Sequence, residues 1–510
     1  NPPAQMHERF EAAAASTRAA LGAQHRLFID GKDVAAANSF VKSSPVDGRP
    51  LGRFPAADAA EVQAAVAAAK RAFPGWRATP AAERVRLMKA VAALIEERVY
   101  LISAALCLEV GKNRMEGLGE TQEAADFFET YAQEFERSAG YARQLADDPL
   151  TDYRSRNRSV LKPHGVWAVI APFNFPLALM AGPTAAALVT GNTVVAKGAT
   201  DTPWAGRLLA DCIRDAGLPP GVFNYLTGTG SVAGAALVSH PDLAGITFTG
   251  SHAVGMQICR SMVSGPIPRP CIAEMGGKNA AIVTRNADLE RAVPGIVRSA
   301  FGLSGQKCSA LSRVYVEEAV ADELIERVRK AIGEIRIGDP LVRENWLGPV
   351  ISASAAKKFA DYCARLAADG GRILEGGTRL NGAQYPGGCY VTPTLAEAPA
   401  THPLFAEEMF LPVVMVCRVP DLPTALKLAN DSPLGLTAGM YGNEAEVKVF
   451  MDQIEAGVAY ANRPQGATTG AWPWYQAFGG WKGSGSTGKA IGSYYYLPQY
   501  LREQSQTIVE

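Results

Sequence analysis

The chain has 510 residues, of which 48% are hydrophobic and 20% are charged, and its 50 Lys and Arg balance 50 Asp and Glu. A formal charge of zero removes the electrostatic case for binding nucleic acid or a membrane surface, and no apolar run reaches the roughly 20 residues of a membrane span. The length predicts two or three domains. Eight cysteines without a CxxC pair and six scattered histidines argue against a metal site and a disulfide framework, so a cytoplasmic location is the simplest expectation.

The N-terminal part of the chain is predicted to hold a small sheet followed by helices. An Asp-Gly turn after apolar residues predicts a β-hairpin over 27–32, and segments 43–46 and 52–55 are expected to continue the same sheet. Four stretches then carry helical spacing: 59–73, 80–98, 100–110 and 114–141. The polar, alternating segment 147–160 indicates either a β-arm that leaves the domain body or a plain surface loop.

Apolar strands alternate with helical patterns in the next part of the chain. The strands are predicted at 166–170, 193–197, 222–226 and 245–249. Continuous apolar strands separated by helices are typical of a parallel, doubly wound α/β sheet. A second β/α series is expected to begin near Cys271, and segment 494–509 is predicted to form a final strand or arm.

Cys308 stands after a glycine-rich approach and before a predicted buried strand, in Phe301-Gly302-Leu303-Ser304-Gly305-Gln306-Lys307-Cys308-Ser309-Ala310. Small residues on both sides let backbone amides approach whatever the sulfur attacks. The thiol therefore suits a nucleophile whose own N–H helps to build an oxyanion site. The alternative is one more buried structural cysteine.

Three further polar residues stand at positions that suit chemistry. Asn174, among apolar residues and two prolines, either caps local backbone or donates to a developing oxyanion. Glu274, in a glycine-flanked loop, is a general base if burial raises its pKa, and a surface carboxylate otherwise. Lys197 ends a predicted strand at the carboxyl edge, where open α/β sheets bind ligands; a lysine that only extends into solvent is the alternative.

A glycine-flanked turn, Gly250-Ser251-His252-Ala253-Val254-Gly255, follows a strand and opens a helical pattern. Such a turn lets a diphosphate approach the free N–H groups of a helix N-terminus. It differs from the G-x-G-x-x-G of the usual dinucleotide fold, so a purely structural turn is the alternative.

Together these parts resemble the aldehyde dehydrogenase superfamily, from about Phe28 to the C-terminus. Five motifs match in the family's order: Phe173-Asn174-Phe175-Pro176, Phe248-Thr249-Gly250-Ser251, Glu274-Met275-Gly276-Gly277-Lys278-Asn279, Gly305-Gln306-Lys307-Cys308 and Glu408-Met409-Phe410. The resemblance implies a Rossmann-type cofactor domain, an α/β catalytic domain and a β-arm for oligomerisation. The expected boundaries are 1–146 with 164–272 for the cofactor domain, 273–489 for the catalytic domain, and 147–163 with 490–510 for the arm.

The same resemblance implies an aldehyde substrate, NAD or NADP as cofactor, and a role for each motif. Cys308 would attack the aldehyde carbon, Asn174 and the Cys308 N–H would hold the oxyanion, and Glu274 would activate the water that hydrolyses the thioester. Lys197, also a catalytic candidate, would bind the adenosine ribose. Glu408 and Phe410 would hold the nicotinamide ribose and ring. The other cofactor-binding candidates are Ile170, Pro172, Phe173, Thr200, Gly230, Phe248, Gly250, Ser251 and Gly255.

A narrower resemblance is to the Δ1-pyrroline-5-carboxylate dehydrogenases, which oxidise glutamate γ-semialdehyde to glutamate. The matching segments are Glu109-Val110-Gly111-Lys112-Asn113, Phe127-Phe128, Gln306-Lys307-Cys308-Ser309-Ala310, Thr469-Gly470-Ala471 and Phe478-Gly479-Gly480. By this likeness Ser309 and the amides of Gly470 and Ala471 would hold the substrate carboxylate, since a glycine-containing turn can aim successive N–H groups at an anion. Phe175 and Phe478 would pack the aliphatic chain. A homodimer or dimer-based oligomer is expected.

Two departures from the family pattern leave alternatives open. Thr200 stands where a glutamate usually binds the adenosine ribose, and the loss of that carboxylate makes NADP possible. Trp472-Pro473-Trp474-Tyr475, bulkier than usual, would line either the substrate entrance or a subunit contact. Another aliphatic or aromatic aldehyde is therefore the alternative substrate, and a non-catalytic binding protein is the alternative of a different class.

Overall fold

A computed structural model of the chain describes residues 3–149, 152–467 and 472–509. The N-terminal elements are α1 (Ala4–Ala19), β1 (Ala23–Gln24), β2 (Leu27–Ile29), β3 (Lys32–Val34), β4 (Asn38–Ser43), β5 (Pro50–Ala56), α2 (Ala59–Ala78), α3 (Ala81–Glu97), α4 (Val99–Val110), α5 (Arg114–Arg137), β6 (Ala142–Gln144) and β7 (Ser155–Pro163). The four predicted helices are confirmed. The hairpin β2–β3 is confirmed as well.

A seven-stranded sheet carries the first half of the expected site. Its elements are β8 (Val166–Ile170), α6 (Ala178–Val189), β9 (Thr193–Lys197), α7 (Pro203–Asp215), β10 (Phe223–Leu226), α8 (Ala235–Ser239), β11 (Leu243–Thr249), α9 (His252–Val263) and β12 (Cys271–Glu274). The strand order is β12-β11-β8-β9-β10-β2-β3, and β8 to β12 are parallel. The predicted doubly wound sheet is thus confirmed. Because the chain reverses its direction of winding between β8 and β11, a ligand crevice is expected at their carboxyl ends.

A second seven-stranded sheet follows. Its elements are β13 (Asn279–Val283), α10 (Leu289–Phe301), β14 (Leu311–Glu317), α11 (Glu318–Gly333), α12 (Ala353–Ala368), β15 (Arg372–Glu375), β16 (Thr394–Glu397), β17 (Val413–Val419), α13 (Leu422–Asn430), β18 (Leu434–Gly435), β19 (Thr437–Tyr441), α14 (Glu444–Gln453) and β20 (Val458–Ala461). The order is β15-β16-β17-β14-β13-β19-β20. All pairs are parallel except β15 with β16.

The last strands are β21 (Trp481–Lys482), which pairs with β18, and β22 (Leu501–Val509). β22 runs antiparallel to β7 from the pair Leu501–Pro163 to the pair Val509–Ser155, and β6 completes the sheet on the other side of β7. The polar, alternating segment is therefore a strand of a three-stranded sheet rather than a plain loop. Its use in oligomerisation and the domain boundaries stay predictions.

Two details of the predicted topology are wrong. β4 and β5 do not continue the hairpin sheet, because they form a separate three-stranded sheet with β1, whereas the hairpin joins the edge of the first large sheet through β10. The second β/α series also starts later than Cys271. The strand that begins at Cys271 pairs in parallel with β11 and completes the first sheet, so the second sheet starts at Asn279.

Candidate active site

The first half of the site is the carboxyl edge of the first sheet. The strand register aligns Lys197 with Ile170, Ile170 with Phe248, and Thr249 with Glu274. Four neighbouring strands therefore end side by side, and the segments that follow them emerge along one edge. Lys197 and Glu274 lie three strand spacings apart, about 14 Å along that edge. This spacing suits Lys197 to the far end of a dinucleotide rather than to the reacting carbon.

The second half is the amino edge of the second sheet. Asn279 begins β13, and its Nδ2 donates to the carbonyl oxygens of Cys308 (2.6 Å) and Ala310 (2.8 Å), while its Oδ1 accepts from the N–H of Thr437 (2.9 Å). One buried amide thereby joins the starts of three strands to the cysteine loop. Since only residues 275–278 separate Glu274 from Asn279, this linker brings the two edges together.

The turn before Cys308 has an unusual backbone. Leu303, Ser304 and Gly305 all have positive φ, at 51°, 52° and 68°, a conformation that costs free energy in non-glycine residues and occurs at functional sites. The Ser304 hydroxyl donates to the Gly348 carbonyl (2.7 Å), and Gln306 Oε1 accepts from the Ile351 N–H (2.9 Å). These bonds hold the strained turn in place.

The glycines next to this turn are required by close contacts. A methyl group on Gly305 would lie 2.4 Å from the Leu411 carbonyl oxygen, and one on Gly277 would lie 2.5 Å from that of Cys308. Side chains at these positions would push the cysteine loop away from the second sheet. Leu411, on the other side of the Gly305 contact, is itself buried.

Glu408 and Glu274 lie close enough to Cys308 to act on its thiol electrostatically. Burial, reinforced by the negative charges of Glu408 and then Glu274, raises the pKa of the Cys308 thiol to about 12. Burial also raises the pKa of Glu274 to about 8, against one opposing backbone hydrogen bond. Glu274 Oε2 is buried and has no hydrogen-bond partner among the described residues. Glu274 is therefore not the surface carboxylate of the alternative prediction, and it has a free oxygen that can bind water.

The turn that carries Asn174 is fixed by hydrogen bonds at the start of α6. The Asn174 side chain is 4% exposed and forms no hydrogen bond within the described ranges, so it does not cap local backbone. Glu120 Oε1 accepts from the N–H groups of Leu177 (2.9 Å) and Ala178 (3.2 Å). The Glu120 carboxylate is paired with Lys112 Nζ at 2.9 Å, both side chains being fully buried. This anchor fixes the turn and leaves the Asn174 amide available as a donor.

Two of the three aromatic cofactor candidates, Phe173 and Phe410, come from different sheets and meet. The rings of Phe173 and Phe410 lie 5.7 Å apart in an edge-to-face arrangement, and Phe410 has a positive φ of 58°. Beside them, Glu408 Oε1 accepts from the Gly277 N–H at 2.9 Å. The remaining candidates at this end, Ile170, Pro172 and Phe248, are half-buried or buried at or just after the strand ends.

The adenosine end has the groups that a ribose and a diphosphate require. Lys197 is 3% exposed, burial lowers its pKa to about 8, and its Nζ donates to the Gly198 carbonyl (2.9 Å). The Thr200 hydroxyl donates to the Gly228 carbonyl (3.1 Å). Exposed Ser251 is the N-cap of α9. Gly230, also exposed, begins the turn before α8 and has open space where a side chain would stand. These features fit a dinucleotide, and at Gly230 an added Cβ would meet no atom of the described residues within 4 Å.

The substrate candidates that the structure describes lie around the cysteine. Phe175 and Phe478 are 6% and 8% exposed and belong to the apolar cluster against which Cys308 packs. Ser309 is buried directly after the cysteine. The predicted carboxylate anchors Gly470 and Ala471 lie outside the described residues.

The bulky segment after them forms a turn closed by backbone hydrogen bonds between Trp472 and Gln476. In that turn the Trp474 ring lies 4.6 Å from the Tyr494 ring, and the Arg137 guanidinium lies over it at 4.3 Å. Tyr475 is 76% exposed. The segment thus presents an aromatic surface, and its contribution to the entrance stays a prediction.

Sequence reasoning missed two groups that support this site. Asn279 was part of a matched motif but had no assigned role, although a buried amide at the first position of a strand signals a structural anchor. Lys112 was part of the narrower resemblance. Its Nζ lies 3.4 Å from the centre of the Phe175 ring as well as beside Glu120, and only the fold brings these three side chains together.

Comparison with known proteins decides the family. A model described as the aldehyde dehydrogenase family matches residues 33–505. The chain belongs to the aldehyde dehydrogenase family. It is 36% identical to the 1-pyrroline-5-carboxylate dehydrogenase of Geobacillus sp. (strain WCH70), over 98% of this chain and 96% of that protein. It is also 36% identical to 1-pyrroline-5-carboxylate dehydrogenase 2 of Bacillus subtilis (strain 168), over 99% and 96%.

A solved structure agrees. The crystal structure of a 1-pyrroline-5-carboxylate dehydrogenase from Thermus with bound NAD superposes with a TM-score of 0.93 at 34% identity, over 99% of this chain and 97% of that one. The chain is thus an oxidoreductase of the aldehyde dehydrogenase fold that uses NAD(P). Within the described ranges, no helix has the length and apolarity to cross a bilayer, and no cluster of His, Cys, Asp and Glu could hold a metal ion.

Proposed function

We propose that the enzyme oxidises glutamate γ-semialdehyde, the open form of Δ1-pyrroline-5-carboxylate, to glutamate by covalent catalysis at Cys308. The observation that carries this proposal is the environment of the thiol. Cys308 packs against an apolar cluster that contains Phe175 and Phe478, and it lies within the electrostatic reach of Glu274 and Glu408. A short aliphatic chain between aromatic walls, with its aldehyde at the sulfur, fits that environment.

The first step is addition of the Cys308 sulfur to the aldehyde carbon. The thiol of the free enzyme is protonated, because its pKa is about 12, so solvent water must take up the thiol proton as the sulfur attacks. The oxygen of the resulting thiohemiacetal carries the developing negative charge. The Asn174 amide and the Cys308 N–H are the donors for it, and a preorganised donor of this type contributes about 10²–10³ in rate.

The second step removes the hydrogen of the former aldehyde carbon and leaves a thioester on Cys308. NAD(P) supplies the hydride acceptor when it is bound. Lys197, Thr200 and the turns at Gly230 and Ser251 would hold its adenosine and diphosphate, while Glu408 with the Phe173–Phe410 pair would hold its nicotinamide end. The backbone N–H of Gly277 orients the Glu408 carboxylate for this purpose.

The third step is hydrolysis of the thioester. Glu274 has a buried, unpaired Oε2 and a pKa of about 8, which matches the requirement that a general base titrate near the working pH. It would take a proton from a water that attacks the thioester carbon. The carboxylate product then leaves and the Cys308 thiol takes up the proton.

The choice of substrate is supported by the relatives named 1-pyrroline-5-carboxylate dehydrogenase and by the side chains beside the thiol. Ser309 would bind the α-carboxylate together with the amides of Gly470 and Ala471. The test is a panel of aldehydes that share chain length but lack the amino group, the carboxylate or both. We expect kcat/KM to be highest for glutamate γ-semialdehyde, and Ser309→Ala to raise its KM while leaving kinetics with propanal unchanged.

A panel in which an aliphatic or aromatic aldehyde without the carboxylate is preferred would contradict the substrate assignment. Such a result would leave the covalent mechanism standing. Loss of activity with propanal in Ser309→Ala would instead indicate that the substitution disturbs Cys308 itself.

We also propose a dimer-based assembly through the three-stranded arm sheet. β22 is an edge strand of that sheet, and it exposes Ile508 (48%) and Val509 (58%) at the end of the described residues. An exposed strand edge with apolar side chains favours pairing with another chain. Light scattering of the full chain and of a form truncated after Leu501, which keeps the buried Tyr500, tests this, and a truncated form with an unchanged number of subunits would refute it.

A further inference from the structure

Two thiols outside the active site face each other. Cys259 lies on α9 and Cys271 is the first residue of β12, and their sulfur atoms are 3.2 Å apart. Both side chains are half-buried, as is that of Cys308, whereas the other five cysteines are buried. All eight are free thiols. Reagents in solution therefore have access to Cys259 and Cys271.

The two cysteines stand on elements that lead to the site. α9 begins directly after the Gly250-Ser251 turn, and β12 ends at Glu274. The Gly250 N–H donates to the Glu274 carbonyl at 3.1 Å, and a methyl group on Gly255 would lie 2.5 Å from Met275 Sδ. Because α9 and β12 are packed this closely, a shift of one against the other reaches both the proposed diphosphate turn and the proposed base.

We propose that Cys259 and Cys271 are a redox modification site that closes to a disulfide between α9 and β12. A peroxide takes the two electrons: the Cys259 sulfur attacks one peroxide oxygen, the O–O bond breaks, and the first water leaves. The Cys271 sulfur then displaces the sulfenic oxygen as a second water while the S–S bond forms. The net change is two thiols and one hydrogen peroxide to one disulfide and two waters. The sulfur atoms must approach from 3.2 Å to about 2.05 Å.

The contact between the two thiols favours Cys259 as the attacking sulfur. A hydrogen bond from Cys271 lowers the pKa of the Cys259 thiol, and the same contact raises that of Cys271. The thiolate is the reactive form of cysteine, and the Cys308 pKa of about 12 keeps the catalytic thiol protonated in the free enzyme. Oxidation should therefore begin at Cys259 rather than at Cys308. A reducing compartment, as the sequence predicts, would keep the pair open until peroxide appears.

The disulfide should weaken cofactor binding. Shortening the contact by about 1 Å draws α9 toward β12 and moves the turn that would hold the diphosphate. We expect the Kd of NAD to rise on the order of fivefold, the low end of typical coupling between two sites. Reduction with dithiothreitol should restore the original Kd.

The experiment uses the full-length Cys308→Ser variant, so that neither turnover nor oxidation of the catalytic thiol contributes. The protein is treated with hydrogen peroxide, its remaining thiols are alkylated, and tryptic peptides are mapped by mass spectrometry. The expected result is a peptide pair joined through Cys259 and Cys271 with a loss of two hydrogens, reversed by dithiothreitol. Oxidation that leaves both cysteines as free thiols, or that stops at sulfinic acid on Cys259, would overturn the proposal.

Binding of NAD to the same protein, followed by tryptophan fluorescence, tests the consequence. Cys259→Ser and Cys271→Ser, each in the Cys308→Ser background, should bind NAD as the reduced parent does and should lose the response to peroxide. The matched control is Cys363→Ser, which removes a buried thiol from α12 and should keep the response. A response that persists without Cys259, or a disulfide that forms without changing the Kd, would refute the proposed coupling. None of these readouts depends on the substrate proposed above.

Discussion

The pH dependence of thioester hydrolysis gives the sharpest test of the role of Glu274. Burial raises the pKa of this carboxyl from 4.5 to about 8, and only the ionised form can take a proton from water. At pH 7 about one molecule in ten is ionised, and at pH 9 about nine in ten, so the hydrolysis rate should rise about tenfold over that interval. A carboxyl with an ordinary pKa would give a flat profile over the same range. The hydrolysis rate should therefore increase with pH and reach a plateau above pH 9.

Stopped-flow measurement separates this step from the earlier ones. A burst of reduced cofactor reports formation of the thioester, and the steady-state phase reports its hydrolysis when hydrolysis is rate-limiting. Glu274→Gln should keep the burst and lower the steady-state rate by about 10²–10⁴-fold. It should also remove the rise of that rate between pH 7 and pH 9, called the pH limb below. The result that refutes the reasoning is a limb near pH 8 that survives in Glu274→Gln.

A matched control exists in Glu109. This carboxyl is fully buried, has a pKa raised by burial to about 8, and accepts from the N–H groups of Trp204 (2.6 Å) and Ala205 (2.9 Å) at the start of α7. Glu109→Gln should reduce stability through loss of this cap while leaving the pH limb in place. A limb that depended on Glu109 would mean that the profile reports folding rather than base catalysis.

Four further predictions rest on other contacts. Cys308→Ala should abolish cofactor reduction while circular dichroism and melting stay unchanged; wild-type turnover in this variant would contradict the mechanism. Thr200→Glu should raise the NAD over NADP ratio of kcat/KM, because a carboxylate repels the 2′-phosphate, and an unchanged ratio would remove Thr200 from cofactor choice. Asn279→Ala should lower kcat and, by leaving three buried backbone groups unpaired, cost at least about 1–3 kcal/mol in urea unfolding. Lys112→Met, which leaves Glu120 buried without its cation, should cost about 3–5 kcal/mol; an unchanged midpoint would contradict the proposed anchor.

The sequence was informative about the turns that carry chemistry. Three patterns are local: a cysteine among small residues, a carboxylate between glycines and a lysine at a strand end. Each can be recognised from adjacent residues alone. The structure places Glu274 close enough to act electrostatically on the Cys308 thiol. Their catalytic roles stay proposals until the variants are measured.

The sequence was less informative about which strands are neighbours. The strand at Cys271 was expected to lie near the start of a second series. It instead pairs with β11 in the first sheet. Segments 43–46 and 52–55 were expected to continue the hairpin sheet, but the strands there, β4 (38–43) and β5 (50–56), pair with each other and form their own sheet with β1. Pairing depends on contacts between distant segments, which periodicity along the chain does not encode.

The α/β class, the alternation of strands and helices and the family motifs were determined by the sequence alone, because apolar periodicity and turn chemistry are properties of adjacent residues. Only the tertiary structure decided how these parts meet. It sets the carboxyl edge of one sheet against the amino edge of another, so that Asn279 holds the loop of Cys308 through hydrogen bonds. It also brings the thiols of Cys259 and Cys271 together at 3.2 Å. The reason in both cases is that a helix and its neighbouring strand, or two strand ends, approach only when the sheets have formed.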